Sequence, residues 1–203
     1  MTRHHRVGFA VLVVAGAALG AGGGPSAQEL VKTKDPMYPR VRFADSLVSL
    51  NDRCIVRQAP LNAMFKAAYV NGKPIGFCCR TCPGVFAQDP EPYLRAQHIQ
   101  VSCVVFPQKK ARIDSSMRRV IGHDIFYFSS ATAMRLFDRD PLRYVKKLSD
   151  PVTNDRFRVG RHSQREEYRN RTYYFASEGE KSTFDSDREK YRDRRATTLV
   201  EFE

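Results

Sequence analysis

The chain lacks the short motifs on which most enzymatic readings rest. It has no Gly-x-Ser-x-Gly nucleophile elbow, no His-Glu-x-x-His helix and no phosphate-binding glycine loop. It also lacks an apolar run of the ~20 residues that a membrane-spanning helix requires. The one apolar run, Val7 to Leu19, follows the basic residues Arg3, His4, His5 and Arg6 and gives way to small residues up to Ala27. That is the pattern of a secretory signal. Residues 1–27 are therefore expected to be a signal peptide, which places the mature protein in the periplasm or outside the cell with no transmembrane segment after cleavage. Cysteine is scarce as well. There are five, at 54, 78, 79, 82 and 103, and an odd number excludes complete pairing within one chain.

Charge of one sign is in excess. The formal net charge is +12, or +10 once Arg3 and Arg6 are removed with the signal. An exported protein does not share a compartment with most nucleic acid, so the basic balance predicts no nucleic-acid partner. It suits solubility or weak attraction to anionic lipid or cell-wall polymer. Near the C-terminus the charges are mixed (Arg188, Glu189, Lys190, Arg192, Asp193, Arg194, Arg195), as on a solvated helix face.

What the sequence does contain is a block written three times. Phe77, Phe86, Asp89 and Tyr93 recur as Phe128, Phe137, Asp140 and Tyr144, and again as Phe175, Phe184, Asp187 and Tyr191, at offsets of 51 and then 47 residues. Four matched positions at nearly equal offsets read as an internal triplication. The repeated aromatics are expected in the core. Each copy opens with two short strand-like runs. These are Met64–Val70 and Pro74–Phe77, then Ala111–Ile113 and Asp124–Phe128, then Phe157–Val159 and Thr172–Phe175. Asn71-Gly72, Gly122-His123 and, more weakly, Glu167 with Asn170 separate the runs as turns. Beyond the first Phe the period becomes helical, with Phe and Tyr seven residues apart. Asp89-Pro90 and Asp140-Pro141 predict a second short helix capped by Asp, and Asp187-Arg188 keeps the cap without the proline. The expected class is α+β, each copy being strand, turn, strand, helix and short helix. The expected boundaries are a linker or arm at 28–44 and units at 45–98, 99–148 and 149–203, the last ending in the charged tail. Units of about 45 residues bury little surface, and natural ones lean on metals, disulfides or neighbours.

Only the first copy carries a set of thiols. Where it has Cys78, Cys79 and Cys82, the second has Ser129, Ser130 and Ala133, and the third has Ala176, Ser177 and Glu180. A helix beginning near Cys79 would put thiols at its N-terminus, where partial positive charge favours the thiolate that binds metal. The spacing Cys79-Arg80-Thr81-Cys82 is that of a zinc knuckle. Cys54 and Cys82 are candidate ligands, and Cys78 and Cys79 compete for a third place. The other of that pair, His98, Cys103 or water would be a fourth. A disulfide from Cys54 to Cys78 or Cys82 would tie the hairpin to the helix equally well, as exported cysteines often do. A thioredoxin-like use of Cys79 and Cys82 lacks the βαβ context it needs. His123, in a turn, is expected to face solvent, and His162 to pack or bond locally.

These residues resemble the TRASH/YHS domain, a small treble-clef-like module linked to heavy-metal sensing, trafficking and resistance. Cys54, Cys78 and Cys82 follow its cysteine spacing, and Gly72-Lys73, Phe77-Cys78, Phe86, Asp89-Pro90 and Tyr93 follow its core. The second copy matches through Gly122, Phe128, Phe137, Asp140-Pro141 and Tyr144. The third matches through Asp150-Pro151-Val152, His162-Ser163, Tyr173-Tyr174-Phe175, Phe184 and Tyr191. The resemblance spans nearly all of residues 45 to 195 and implies three tandem treble-clef-like modules. It implies thiolate ligation of metal by Cys54, Cys78 and Cys82 alone. In the second copy Cys103 matches Cys54 but its partners are gone. Soft sulfur ligands select Zn(II) or Cu(I). The expected function is thus non-enzymatic metal binding, for capture, trafficking or structure, with a metal ion and another exported or membrane protein as partners. The alternative is a disulfide-stabilised interaction protein.

Overall fold

The computed structural model describes residues 28–193. The expected signal peptide at 1–27 and the last part of the charged tail, 194–203, lie outside the described residues. The described chain is mixed α and β, with small sheets and short helices. Among the described residues no helix is long and apolar enough to cross a membrane.

Residues 28–44, expected to be a linker or arm, instead begin the folded body. Strands β1 (Glu29–Val31) and β2 (Arg40–Arg42) pair antiparallel, and Val41 and Phe43 are buried in the first core cluster. Alternation of apolar and basic residues over Arg40–Phe43 gives the strand one buried face.

The three copies then recur as hairpin, helix and short helix. The first comprises β3 (Ala68–Val70), β4 (Lys73–Ile75), α1 (Cys82–Gln88) and α2 (Pro90–Ala96). The second comprises β5 (Arg118–Ile121), β6 (Asp124–Tyr127), α3 (Ala131–Arg139) and a 3-10 turn at Pro141–Arg143. Strands β7 (Lys147–Ser149) and β8 (Arg156–Arg158) pair with each other before the third copy, which comprises β9 (Gln164–Tyr168), β10 (Arg171–Phe175), α4 (Glu178–Ser186) and α5 (Arg188–Tyr191).

Two expected strands are displaced. The second hairpin's first strand is Arg118–Ile121, not Ala111–Ile113, and the third's is Gln164–Tyr168, not Phe157–Val159. Strand β8 occupies the latter stretch and pairs with β7. Strand β9 is largely exposed and polar (Gln164-Arg165-Glu166-Glu167) and β5 opens with two arginines, so neither presents apolar alternation, and tight turns set their register instead. Arg169 and Asn170, both at positive φ, make the third turn, which moves it off Glu167. Asn71 and Gly72, also both at positive φ, make the first. Helix α1 starts at Cys82, three residues later than Cys79. Of the three expected Asp caps only Asp187 accepts a helix N–H, from Lys190 at 3.0 Å. Asp89 and Asp140 make no side-chain cap.

The repeated aromatics are core. Phe77 and Phe86, Phe128 and Phe137, and Phe175 and Phe184 are buried, with ring centroids 5.8, 4.9 and 5.2 Å apart in the three copies. Tyr93, Tyr144 and Tyr191 pack at the edges of the same three clusters.

The copies are joined by hydrogen bonds and buried charge. Strands β3 and β6 pair in parallel, so the first two hairpins form one sheet in the order β4-β3-β6-β5. Asn71 seals that join. Its backbone N–H donates to Ile125 O (2.8 Å), its side-chain amide donates to Tyr127 O (2.8 Å), and its Oδ1 accepts from Tyr127 N (2.7 Å). Buried Glu91 of α2 receives Arg118 of β5 and the Tyr127 hydroxyl, at 3.0 and 2.9 Å. Asp124 of β6, buried, pairs with Arg156 of β8, whose guanidinium stacks 3.9 Å from the Tyr69 ring of β3. His123, expected to face solvent, is buried, its ring nitrogens bonded to Asn154 Oδ1 (3.1 Å) and Tyr191 O (2.9 Å).

Removing one partner of a buried pair leaves an uncompensated charge. Arg156→Met should therefore lower unfolding stability by about 3 kcal/mol, read as a fall in the urea midpoint. Arg42→Met, at the exposed Arg42–Glu29 pair, should change stability by no more than about 1 kcal/mol.

Candidate metal centre

The loop carrying Cys54 is tied to the hairpin before any sulfur chemistry enters. Buried Asn51 donates from its amide to Arg53 O and Gly76 O and accepts from Gly76 N, all at 2.8 Å. Gly76 is two residues before Cys78, so Asn51 sets Cys54 against the end of β4. Gly76 also lies close against Leu61, which a Cβ there would meet at 2.8 Å. The loop closes through Cys54 N to Ala59 O and Gln58 N to Cys54 O, both 2.8 Å, with Gln58 in the left-handed region at φ 59°. Cys78 and Cys79 follow β4, and Cys82 is the first residue of α1.

This brings Cys54, Cys78 and Cys82 together with all three sulfurs within 4.8 Å of one another. Cys54 and Cys82 are fully buried, whereas Cys78 and Cys79 are half-buried. The sulfurs of Cys78 and Cys82 are 3.9 Å apart. Metal–sulfur bonds of about 2.3 Å place two tetrahedral ligands about 3.8 Å apart, so the triad has the spacing and donor type to hold one metal ion. Cys79 stands beside the triad. Its sulfur is 3.1 Å from that of Cys82 and 3.4 Å from Thr81 Oγ1. His98 and Cys103, the other expected fourth ligands, are not in the group: His98 is exposed, and Cys103 is buried in the second core cluster. The five cysteines are free thiols.

The four thiols differ electrostatically. Burial works to raise the Cys54 thiol, but the backbone N–H groups of Arg57, Val56 and Cys78 outweigh it and lower its pKa. Burial, then the hydrogen bond and charge of Cys54, push Cys78 up to about 11. Burial and the Cys79 and Cys54 sulfurs also push Cys82 up. Burial opposes ionisation of Cys79 too, yet hydrogen bonds from Thr81, Cys82 and their backbone N–H groups bring it down to about 6. The thiol at the first helical position is thus not the acidic one. Convergent N–H donors, rather than the start of a seven-residue helix, decide the order.

The same N–H trio recurs in the other copies, which sequence reading did not anticipate. Around Cys103 the donors are the backbone of Ser129, Phe106 and Val105; with the Ser129 hydroxyl they lower its thiol against burial. In the third copy the cradle holds a carboxylate. Asp150, fully buried, accepts from Val152 N (2.9 Å), Thr153 N (3.1 Å) and Ala176 N (2.9 Å). Its loop repeats the Cys54 loop, with Asp150 N to Asp155 O and Asn154 N to Asp150 O at 2.8 Å and Asn154 at φ 58°. The donors are always the second and third residues after the cradled one and the residue after the repeated Phe. The signal was available: Cys103 precedes Phe128, and Asp150 precedes Phe175, by the same 25 residues. Burial, opposed by those N–H groups and aided by Glu180, holds Asp150 above the usual carboxylate range.

Comparison of the chain with protein-family models, curated proteins and solved structures finds no match in any of the three.

Asp150→Asn would turn an amide donor toward one of the three N–H groups. It should cost about 1–3 kcal/mol in a urea titration, the cost of stranding a buried donor. The metal content of the protein should be unchanged, because the triad lies in another copy.

Proposed function

We propose that the protein is an exported, non-enzymatic metal-binding protein. Its first unit holds one soft or borderline ion, Zn(II) or Cu(I), through Cys54, Cys78 and Cys82. The observation that carries this reading is the convergence of three sulfurs within 4.8 Å of one another, two of them fully buried. Thiolates are soft ligands that favour those ions. The chemistry such an ion brings here is capture and release, or cross-linking of the loop to the helix. The protein's own residues position the sulfurs: Asn51 holds the loop, and the N–H groups of Val56, Arg57 and Cys78 stabilise Cys54 as thiolate.

In this reading the three hairpin-and-helix units are TRASH/YHS-like modules, 45–98, 99–148 and 149–203, behind a signal at 1–27. The second and third units have lost the ligand set and retain the fold. Export rests on the residue pattern of the first 27 positions. The partners are the ion and a further exported or membrane protein. A second reading, an interaction protein stapled by a disulfide from Cys54 to Cys78 or Cys82, rests on the same closeness of sulfurs.

Mass separates the two. The native mass of the mature protein without reductant should exceed its denatured mass by about one metal ion, with no deficit from lost thiol hydrogens. A deficit of two hydrogens per bridge and no metal would establish the disulfide form. Cys82→Ser should abolish metal uptake and destabilise the first unit most. Protons compete with metal for sulfur, and Cys78 and Cys82 hold theirs tightly, so apparent affinity should fall between about pH 8 and about pH 6. Competition titration with a chromogenic chelator measures that slope.

A further inference from the structure

The triad leaves Cys79 without a task, although its sulfur touches the triad and can be reached from solvent. In the repeat, Cys79 aligns with the serines that cap the helices of the other two units, although α1 itself starts three residues later, at Cys82. Cys79, Ser130 and Ser177 each lie two residues past the recurring Phe. Ser130 and Ser177 accept the backbone N–H of Ala133 and Glu180, and Cys79 receives the corresponding N–H of Cys82. Capping asks only for a small polar acceptor, and serine meets that need in both other units. A thiol stands at this position only in the unit that carries the triad.

Accessibility points the same way. Cys54 and Cys82 are sealed and Cys78 and Cys79 are half-buried, but of the two half-buried thiols only Cys79 stands outside the triad, and exposed Arg80 and Thr81 follow it. A group arriving from solvent can reach Cys79 but neither buried ligand.

We propose, resting on the metal reading above, that Cys79 is the exchange thiol of this centre, the sulfur over which the ion passes between the inner triad and a thiol-bearing carrier protein. In the outward step the ion gains a bond to Cys79 Sγ as its bond to Cys54 Sγ breaks. One thiolate replaces another at the ion, the released Cys54 sulfur returning to the N–H groups of Val56, Arg57 and Cys78, and the ion keeps its oxidation state. Each later step likewise exchanges one protein sulfur for one carrier sulfur, with the carrier's proton passing to the sulfur it replaces. No oxidant or reductant enters. The ion therefore never has to leave a sulfur shell to pass from a buried site to solvent.

The test is Cys79→Ser, the residue the sister units carry, so that a small hydrogen-bond acceptor is kept and only the sulfur is lost. Wild type and variant are loaded anaerobically with one equivalent of Cu(I) or Zn(II). Stoichiometry and equilibrium affinity are measured first, and then the stopped-flow rate of transfer to excess bicinchoninate for copper or pyridylazoresorcinol for zinc. The variant should hold one ion with unchanged affinity and release it about tenfold more slowly or worse, since an accessible thiol no longer opens the path. Transfer at the wild-type rate would overturn the exchange role, and loss of the ion would make Cys79 an ordinary ligand. A wild-type protein that takes up no ion would overturn the metal reading itself, an outcome the stoichiometry identifies before any rate is compared.

Discussion

Three backbone N–H groups converge on one buried side chain ahead of each hairpin, and the placement of everything after it depends on that convergence. Buried N–H donors must find acceptors, so the cradled position calls for a side chain that accepts hydrogen bonds rather than an apolar residue. Cys54, Cys103 and Asp150 meet this demand in turn. One donor comes from the residue after the repeated Phe, so the cradle staples a loop to the end of a strand distant in sequence. In the first copy the stapled residue after Phe77 is itself Cys78, and the structural tie supplies two of the three clustered thiols.

The cradles do not stabilise three units in isolation. Units of this size bury too little apolar surface to be secure alone, and here they share what they bury. The parallel join of β3 and β6, sealed by Asn71, makes one sheet of two hairpins. Glu91 with Arg118 and Tyr127, Asp124 with Arg156, and His123 with Asn154 and Tyr191 are each contacts between copies. Buried polar contacts are costly to mispair, so they set which surfaces meet. The degenerate copies thus serve as a platform against which the cysteine-bearing copy is packed.

Among the described residues the thiol cluster is confined to the copy packed on that platform. In the third copy Asp150 and Glu180 stand where the first has Cys54 and Cys82. The cradle there is filled by a carboxylate that accepts all three N–H bonds. The repeated backbone thus accommodates either a thiol cluster or a closed hydrogen-bonded tie, and the cradled side chain does not decide alone, since Cys103 is cradled with no companion thiols among the described residues.

The amino-acid sequence by itself determined the triplication, the aromatic core and the identity of the thiols, because these depend on residue type at fixed spacing. Phe77 and Phe86 and their counterparts were legible as core since burial follows from their chemistry. Asn71-Gly72 was legible as a turn since few residues tolerate positive φ. The strands at Arg118–Ile121 and Gln164–Tyr168 were not, because Arg-Arg-Val-Ile and Gln-Arg-Glu-Glu-Tyr carry no apolar alternation and are held by their hairpin partners. Nor was the burial of His123, which depends on Asn154 and Tyr191 far along the sequence. For the site, spacing named Cys54, Cys78, Cys79 and Cys82 but could not rank them. Only tertiary structure placed Cys54 against Cys78 and Cys82 and left Cys79 at the rim, because the N–H groups and the Asn51 staple that orient the sulfurs come from backbone that meets only in the folded chain.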